Sequence, residues 1–247
     1  MSPALPAPQP KVAVVIGATG GIGRAFVEAL ARDPAYDAVL ALSRSPLTDA
    51  PPRLITGHLD LADDTSIAAA AVQARALGAP RLVIVATGVL HGAGIAPEKS
   101  WNALRPETMA EVFAVNCIGP SMVARHFLPL VPRQGRSVFA ALSARVGSIG
   151  DNRLGGWHAY RASKAALNMM IRGLAIELAR RAPQALCIGL HPGTVDTHLS
   201  APFQGNVAPD RLFAPADAAA RLLGVIAAAT PADSGSVLAW DGSTVPP

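Results

Sequence analysis

The stretch from Lys11 to Leu30, KVAVVIGATGGIGRAFVEAL, leaves the chain few folds to choose from. Val12 to Ile16 form an unbroken apolar run, as expected of a parallel strand buried on both faces. Gly17, Gly21 and Gly23 follow, and then Ala25, Phe26, Ala29 and Leu30 fall at helical spacing. A strand, a tight glycine turn and a helix let backbone approach a diphosphate. The helix N-terminus supplies unpaired N–H groups and the positive end of its dipole. The spacing Gly-x-x-x-Gly-x-Gly therefore marks Gly17, Thr19, Gly20, Gly21, Ile22 and Gly23 as candidate dinucleotide-binding residues.

Composition permits a large core and removes several functional classes. Apolar residues make up 51% of the 247 and charged ones 15%, enough to fill one α/β domain over 11–247. Residues 1–10 contain four prolines and read as a flexible arm. The arm lacks the basic and apolar regions of a signal peptide, and no apolar run reaches membrane-spanning length. The expected location is cytoplasmic, with no membrane partner. The net charge of +4 comes from scattered Arg without a basic run, so no nucleic-acid partner is expected. Cys117 and Cys187 lie among apolar residues and read as buried free thiols, while the six His show no metal-ligand spacing.

Strands and helices alternate along the rest of the chain. Ala38 to Leu42 read as a second strand, ending at Ser43-Arg44 beside the expected adenosine ribose. No carboxylate stands there to repel a 2′-phosphate, and Arg44 can pair with one, so NADP(H) is preferred over NAD(H). The proline-rich link 45–52 is too short for a full crossover helix. Arg53 to His58 form a third strand leading to Asp60-Leu61, placed against adenine, and Ala62 to Leu77 a helix capped by Asp63 or Asp64. Arg81 to Ala86 form a fourth strand followed by Thr87-Gly88, so that Ala86, Thr87 and Gly88 pass beside the cofactor. The loop 91–105 is a candidate wall of the substrate pocket, with Trp101 joined by Trp157 and Phe203 from elsewhere.

Met109 to Leu130 read as a helix kinked at Gly119-Pro120, with Asn116 just ahead, either a satisfied core amide or a functional one. Ser137 to Leu142 form the fifth strand, Trp157 to Arg181 a long helix, and Leu186 to Leu190 the sixth strand. Pro215 to Ala229 form a helix and Ser236 to Trp240 a last strand. This alternation predicts a single-domain, Rossmann-type doubly wound parallel sheet of about seven strands, order 3-2-1-4-5-6-7, covered on both faces.

Tyr160 and Lys164 stand four apart, on one face of their helix. An ammonium beside a phenol favours the phenolate and draws its pKa down from about 10. A phenol so tuned can give a proton to a carbonyl oxygen, or take one in reverse. Ala165, Ala166, Met169, Met170 and Ile171 make the same helix apolar on more than one face, which predicts a homodimer or homotetramer.

Taken together, Gly17-x-x-x-Gly21-Ile22-Gly23, Asn116, Ser143, Tyr160-x-x-x-Lys164 and Pro192-Gly193-Thr194-Val195-Asp196-Thr197 resemble the short-chain dehydrogenase/reductase family. The stretches at 147–152 and 155–169 and the ending SGSVLAWDG are similar to its C-factor/sniffer-like carbonyl reductases. The resemblance implies an NADP(H)-dependent oxidoreductase interconverting a small carbonyl and its alcohol. It implies Tyr160 as acid/base, Lys164 on the nicotinamide ribose, and Asn116 ordering a water that leads from Lys164 toward solvent. Pro192, Gly193, Thr194, Val195 and Thr197 would hold the nicotinamide end. A serine after the fifth strand would position the carbonyl. Counting three back from Gly147, its usual place is Ala144; Ser143, one place early and nearest that column, is preferred for the role, with Ser148 as the alternative. The usual Asn-Asn-Ala-Gly after strand four is Val85-Ala86-Thr87-Gly88 here. The alternative reading is a nucleotide-binding regulatory or signalling protein with a weak or vestigial dehydrogenase site.

Overall fold

A computed structural model describes residues 9–47, 53–92 and 94–247. The chain opens with β1 (Lys11–Ile16), α1 (Gly21–Arg32), β2 (Ala38–Ser43), β3 (Leu54–His58) and α2 (Asp64–Leu77). It continues through β4 (Ala79–Val85), α3 (Pro106–Phe113), α4 (Gly119–Phe127), β5 (Ser137–Leu142) and α5 (His158–Arg181). Next come β6 (Ala185–His191), β7 (Thr194–Val195), β8 (Leu212–Phe213) and α6 (Pro215–Ala228). It closes with β9 (Val237–Ala239) and β10 (Thr244–Val245).

One eight-stranded sheet runs β10-β9-β6-β5-β4-β1-β2-β3. The expected seven-strand order is present, with β9 as its seventh member. An eighth strand extends that order: after Asp241-Gly242 the chain doubles back, and β10 pairs antiparallel with β9 over Val237–Leu238. Its two residues are too few to show a period in sequence. A separate parallel pair, β7 with β8, organises the segment 194–213. The expected arm lies outside the described residues over 1–8, as does most of the proline-rich link, over 48–52. Pro10 already belongs to the fold, because its carbonyl accepts the Ala79 N–H at 2.7 Å.

The alternation of β1 feeds two cores. Val12, Val14 and Ile16 face α2, α4 and α5 through Ile67, Val123, Phe127 and Leu167. Ala13 and Val15 face α1 and α6 through Phe26, Leu30, Leu222 and Ile226. Burying one such Phe or Leu side chain contributes about 1.5–3 kcal/mol, so an apolar run read as two-sided is stabilised from both sides. Asp63 caps α2, its Oδ1 accepting from the Thr65 N–H at 2.9 Å. Asp64 turns instead to His126, 2.8 Å away.

The expected break at Gly119-Pro120 takes a particular form. Residues Ala114–Ile118 form one π-helical turn between α3 and α4, and Gly119 N–H reaches back to the Ala114 carbonyl. Pro120 has no N–H for the Asn116 carbonyl, and the widened turn accommodates that gap. Gly119 also lets Leu61 approach, since a Cβ there would sit 2.8 Å from Leu61 Cβ.

Candidate active site

The glycine turn lies at the carboxyl end of β1. Gly17 is left-handed (φ +87°), and its N–H donates to the Leu42 carbonyl at 2.8 Å. A Cβ on Gly23 would stand 2.1 Å from the Gly17 carbonyl oxygen, so turn and helix touch backbone to backbone. Gly20, ahead of α1, provides no side-chain cap, and the first turn of the helix has no acid. Its N–H groups thus offer an anion a place that no carboxylate contests. Thr197 closes the far side, with its Cγ2 where a Cβ on Gly21 would fall within 2.7 Å. Thr87 Oγ1 is buried without a hydrogen-bond partner beside this turn. A narrow cradle, open N–H donors and an orphaned hydroxyl fit a dinucleotide.

The other expected cofactor residues surround this cradle. The Ser43 hydroxyl is already engaged by the Ser45 carbonyl at 2.6 Å, whereas Arg44 is exposed at the tip of β2. The Asp60 carboxylate accepts from the Ala62 N–H at 3.0 Å. Ala86 donates its N–H to the Ile16 carbonyl, and Gly88 passes Lys164, where a Cβ would lie 3.7 Å from Nζ. Pro192-Gly193 turns over Phe213 and Trp240, with Gly193 at φ +76°. Thr194–Val195 is β7 itself, and Thr197 further along this run reaches the glycine turn at Gly21.

Tyr160, Ser163 and Lys164 are buried on one face of α5. The Asn116 amide accepts the Val89 N–H at 2.8 Å, donates to the Val89 carbonyl at 2.9 Å, and reaches Ser163 Oγ at 3.1 Å. It is therefore a satisfied core amide that fixes the chain after β4 against α5. Lys164 Nζ donates to the Leu142 carbonyl at 2.8 Å and lies 5.8 Å from the centre of the Tyr160 ring. Burial pushes the Tyr160 phenol up to about 12. Burial likewise draws the Lys164 ammonium down to about 8, opposed by the Cys117 thiol. This corrects the expected lowering of the phenol. With the ammonium turned to the end of β5, desolvation sets the proton affinity, and Tyr160 is a neutral phenol at pH 7.

Both candidate serines have partners of their own. Ser143 is still extended, its N–H donating to the Leu190 carbonyl, and its hydroxyl donates to Asn168 Oδ1 at 2.6 Å. Ala144 is extended too (φ −151°, ψ 145°), so its side chain takes the opposite face. The Ser148 hydroxyl donates to the Pro247 carbonyl at 3.2 Å and accepts the Asp151 N–H. Neither hydroxyl bonds Tyr160. Asn168, missed in sequence, lies one helical turn past Lys164, and that spacing was the signal.

Aromatic rings form one wall. Trp157 meets Tyr160 edge-on at 6.3 Å and Phe203 at 4.8 Å, and Phe203 meets His91 at 5.8 Å. The His91 ring bonds the His198 carbonyl at 2.9 Å, joining the loop after β4 to the segment after β7. Trp101, expected in this wall, is 75% exposed and touches none of these rings.

A doubly wound sheet with a glycine turn after β1 and a buried Tyr–Lys pair after β5 defines a dehydrogenase-type α/β enzyme. The family model for short chain dehydrogenases matches residues 11–207, and the chain belongs to that family. It is similar to C-signal from Myxococcus xanthus, 35% identical over 56% of this chain and 78% of that protein. An NADPH-bound carbonyl reductase from chicken fatty liver is 28% identical, covers 97% of this chain and 99% of its own, and superposes with a TM-score of 0.80. The carbonyl reductase Sniffer of D. melanogaster shares the fold over 96% of this chain and 98% of its own, at 22% identity and a TM-score of 0.81.

Proposed function

We propose that this short-chain dehydrogenase/reductase is an NADP(H)-preferring carbonyl reductase that interconverts a small aldehyde or ketone and its alcohol. The observation that carries the reading is the buried, protonated Tyr160 on one helical face with Lys164, beside the glycine cradle. When bound, the nicotinamide supplies a hydride to the carbonyl carbon. Tyr160 holds the proton that goes to the carbonyl oxygen, so that C=O becomes CH–OH. Lys164 would hold the nicotinamide ribose and return the proton to Tyr160. Asn116 would order a water leading from Lys164 toward solvent. With Ala144 in the usual serine place, Tyr160 alone would donate to the carbonyl oxygen. Ser143 would act through Asn168, holding α5 against β5. The two buried thiols support a reducing compartment, the cytoplasm.

The NADPH-bound relative and the exposed Arg44 support the cofactor preference. NADPH should bind about tenfold or more tighter than NADH, roughly the 1.4 kcal/mol of one modest charge-assisted contact. Arg44→Ala should erase that difference. The decisive test follows NADPH consumption with a panel of small aldehydes and ketones, alongside titration of both cofactors. Equal affinity for the two in the wild type removes the NADP preference. Tight NADPH binding without turnover on any carbonyl would favour the regulatory alternative, for which the two diverted serines speak.

The assembly we propose is a homodimer or homotetramer. On α5, Met169 is 71% and Ile176 47% exposed, although Leu167, Ile171 and Leu178 are buried. Beside Met169 an apolar hollow of about 350 Å³ is lined by Ile149, Val237, Val245 and Pro246. Light scattering at micromolar concentration should give a mass at least twice 25.3 kDa, and a monomer would refute this.

A further inference from the structure

The helix that bears Tyr160 starts without a cap of its own. An α-helix leaves its first N–H groups unpaired, and Ser, Thr, Asp or Asn just ahead usually accepts from one of them. Here that position holds Trp157, whose indole has no acceptor and whose ring is committed to Tyr160 and Phe203. Gly155, Gly156 and Trp157 are left-handed in succession, at φ +64°, +63° and +50°, which turns the chain sharply into α5.

The missing acceptors come from the loop after β4. The Glu98 carbonyl accepts the Trp157 N–H at 2.5 Å, and Glu98 Oε2 accepts the Ala159 N–H at 3.2 Å from 61 residues away. Glu98 is 4% exposed, and its Oε1 is buried without a partner. Glu98 Oε2 thus sits at the amino end of α5, where the helix dipole favours an acceptor. Ile95 and Val112 pack on Ala159 and hold the loop in place.

We propose that Glu98 is a positioning residue, which caps α5 from the facing loop and thereby fixes Tyr160, the next residue after the capped Ala159. The role in catalysis rests on the reading of Tyr160 as proton donor, whereas the cap itself does not. Position 157 is free to be an aromatic wall because Glu98 has taken over the work of a capping side chain.

The test uses the full chain carrying Glu98→Ala or Glu98→Gln, read by amide hydrogen exchange over 156–164 and by titration of the Tyr160 phenol. Tyr36 is the other tyrosine, so a Tyr36→Phe background isolates the signal. Glu98→Ala should speed exchange in the first turn of α5 by about tenfold or more and leave 170–181 unchanged. Water reaching the phenol should bring its midpoint down from about 12 toward its ordinary range. Glu98→Gln, which keeps an acceptor oxygen, should hold exchange within about threefold of wild type. Where a carbonyl substrate is in hand, Glu98→Ala should lower kcat about tenfold with little change in the KM for NADPH. Wild-type exchange and titration in Glu98→Ala would overturn the proposal. So would faster exchange with an unmoved phenol, which would leave a cap without a positioning role. If Glu98→Ala does not fold, Glu98→Asp, a methylene short of Ala159, takes its place with the same two readouts. A protein that reduces no carbonyl would sink the functional reading and leave these two readouts to decide Glu98.

Discussion

Tyr160→Phe is expected to lower carbonyl turnover by at least about a hundredfold, within the 10²–10⁴ that general acid catalysis contributes. NADPH affinity should stay close to wild type, because the change removes one hydroxyl and leaves the glycine cradle and Lys164 in place. A second readout needs no substrate. The folded-state phenol titrates at about 12, above its ordinary 10. Its contribution to stability is therefore complete below about pH 10 and is lost as pH rises toward 12. Phenylalanine has no such proton to lose. The variant should keep on the order of 2 kcal/mol that wild type sheds over that window. Steady-state kinetics and alkaline unfolding check the two halves separately. Full activity would name another acid, and identical alkaline midpoints would deny that burial governs the phenol.

Gly23→Ala should be nearly as damaging, by a different route. The added methyl would stand 2.1 Å from the Gly17 carbonyl oxygen and 2.9 Å from its carbon. Both atoms are backbone, so no side chain can rotate away, and either the turn or the start of α1 must move. Forcing a methyl into packed space costs about 1–3 kcal/mol, or a Tm lower by roughly 2–12 °C at this size. NADPH binding should weaken by about tenfold or more, since the displaced backbone is what would face the diphosphate. Gly20→Ala is the control: its Cβ would approach Gly17 O only to 3.4 Å, an ordinary contact. Its effect on Tm should be small. A Gly23→Ala protein with wild-type Tm and cofactor titration would contradict the packing described here.

The sequence showed the frame of this molecule wherever a short period or a rigid spacing sets the outcome. The run Val12–Ile16 has to be a two-sided strand, and residues four apart in a helix have to share a face, so β1, α1 and the Tyr160–Lys164 pair were legible. What stayed hidden depends on partners distant in sequence. Ser143 could be preferred only by position, because its direction follows from where β5 ends, and its partner Asn168 lies 25 residues on. The phenol's shift went the wrong way in sequence, because spacing brings Lys164 close but does not tell that its ammonium turns to Leu142. Glu98 gave no periodic signal. The one clue was indirect, a tryptophan behind two glycines where a helix should have had a capping residue.

The strand β10 has a consequence for how copies of this chain can meet. An open sheet edge offers a row of free N–H and C=O groups on which a second chain can add a strand, the usual start of aggregation. Here β9 is covered by β10, which is only Thr244–Val245, and Pro246 and Pro247 follow with no N–H to donate. The Pro247 carbonyl is itself occupied by the Gly150 N–H at 2.9 Å, so this margin is tied back onto the body of the protein. Strand addition is disfavoured at that border. A second copy approaching that edge finds no N–H at Pro246 or Pro247 to pair with.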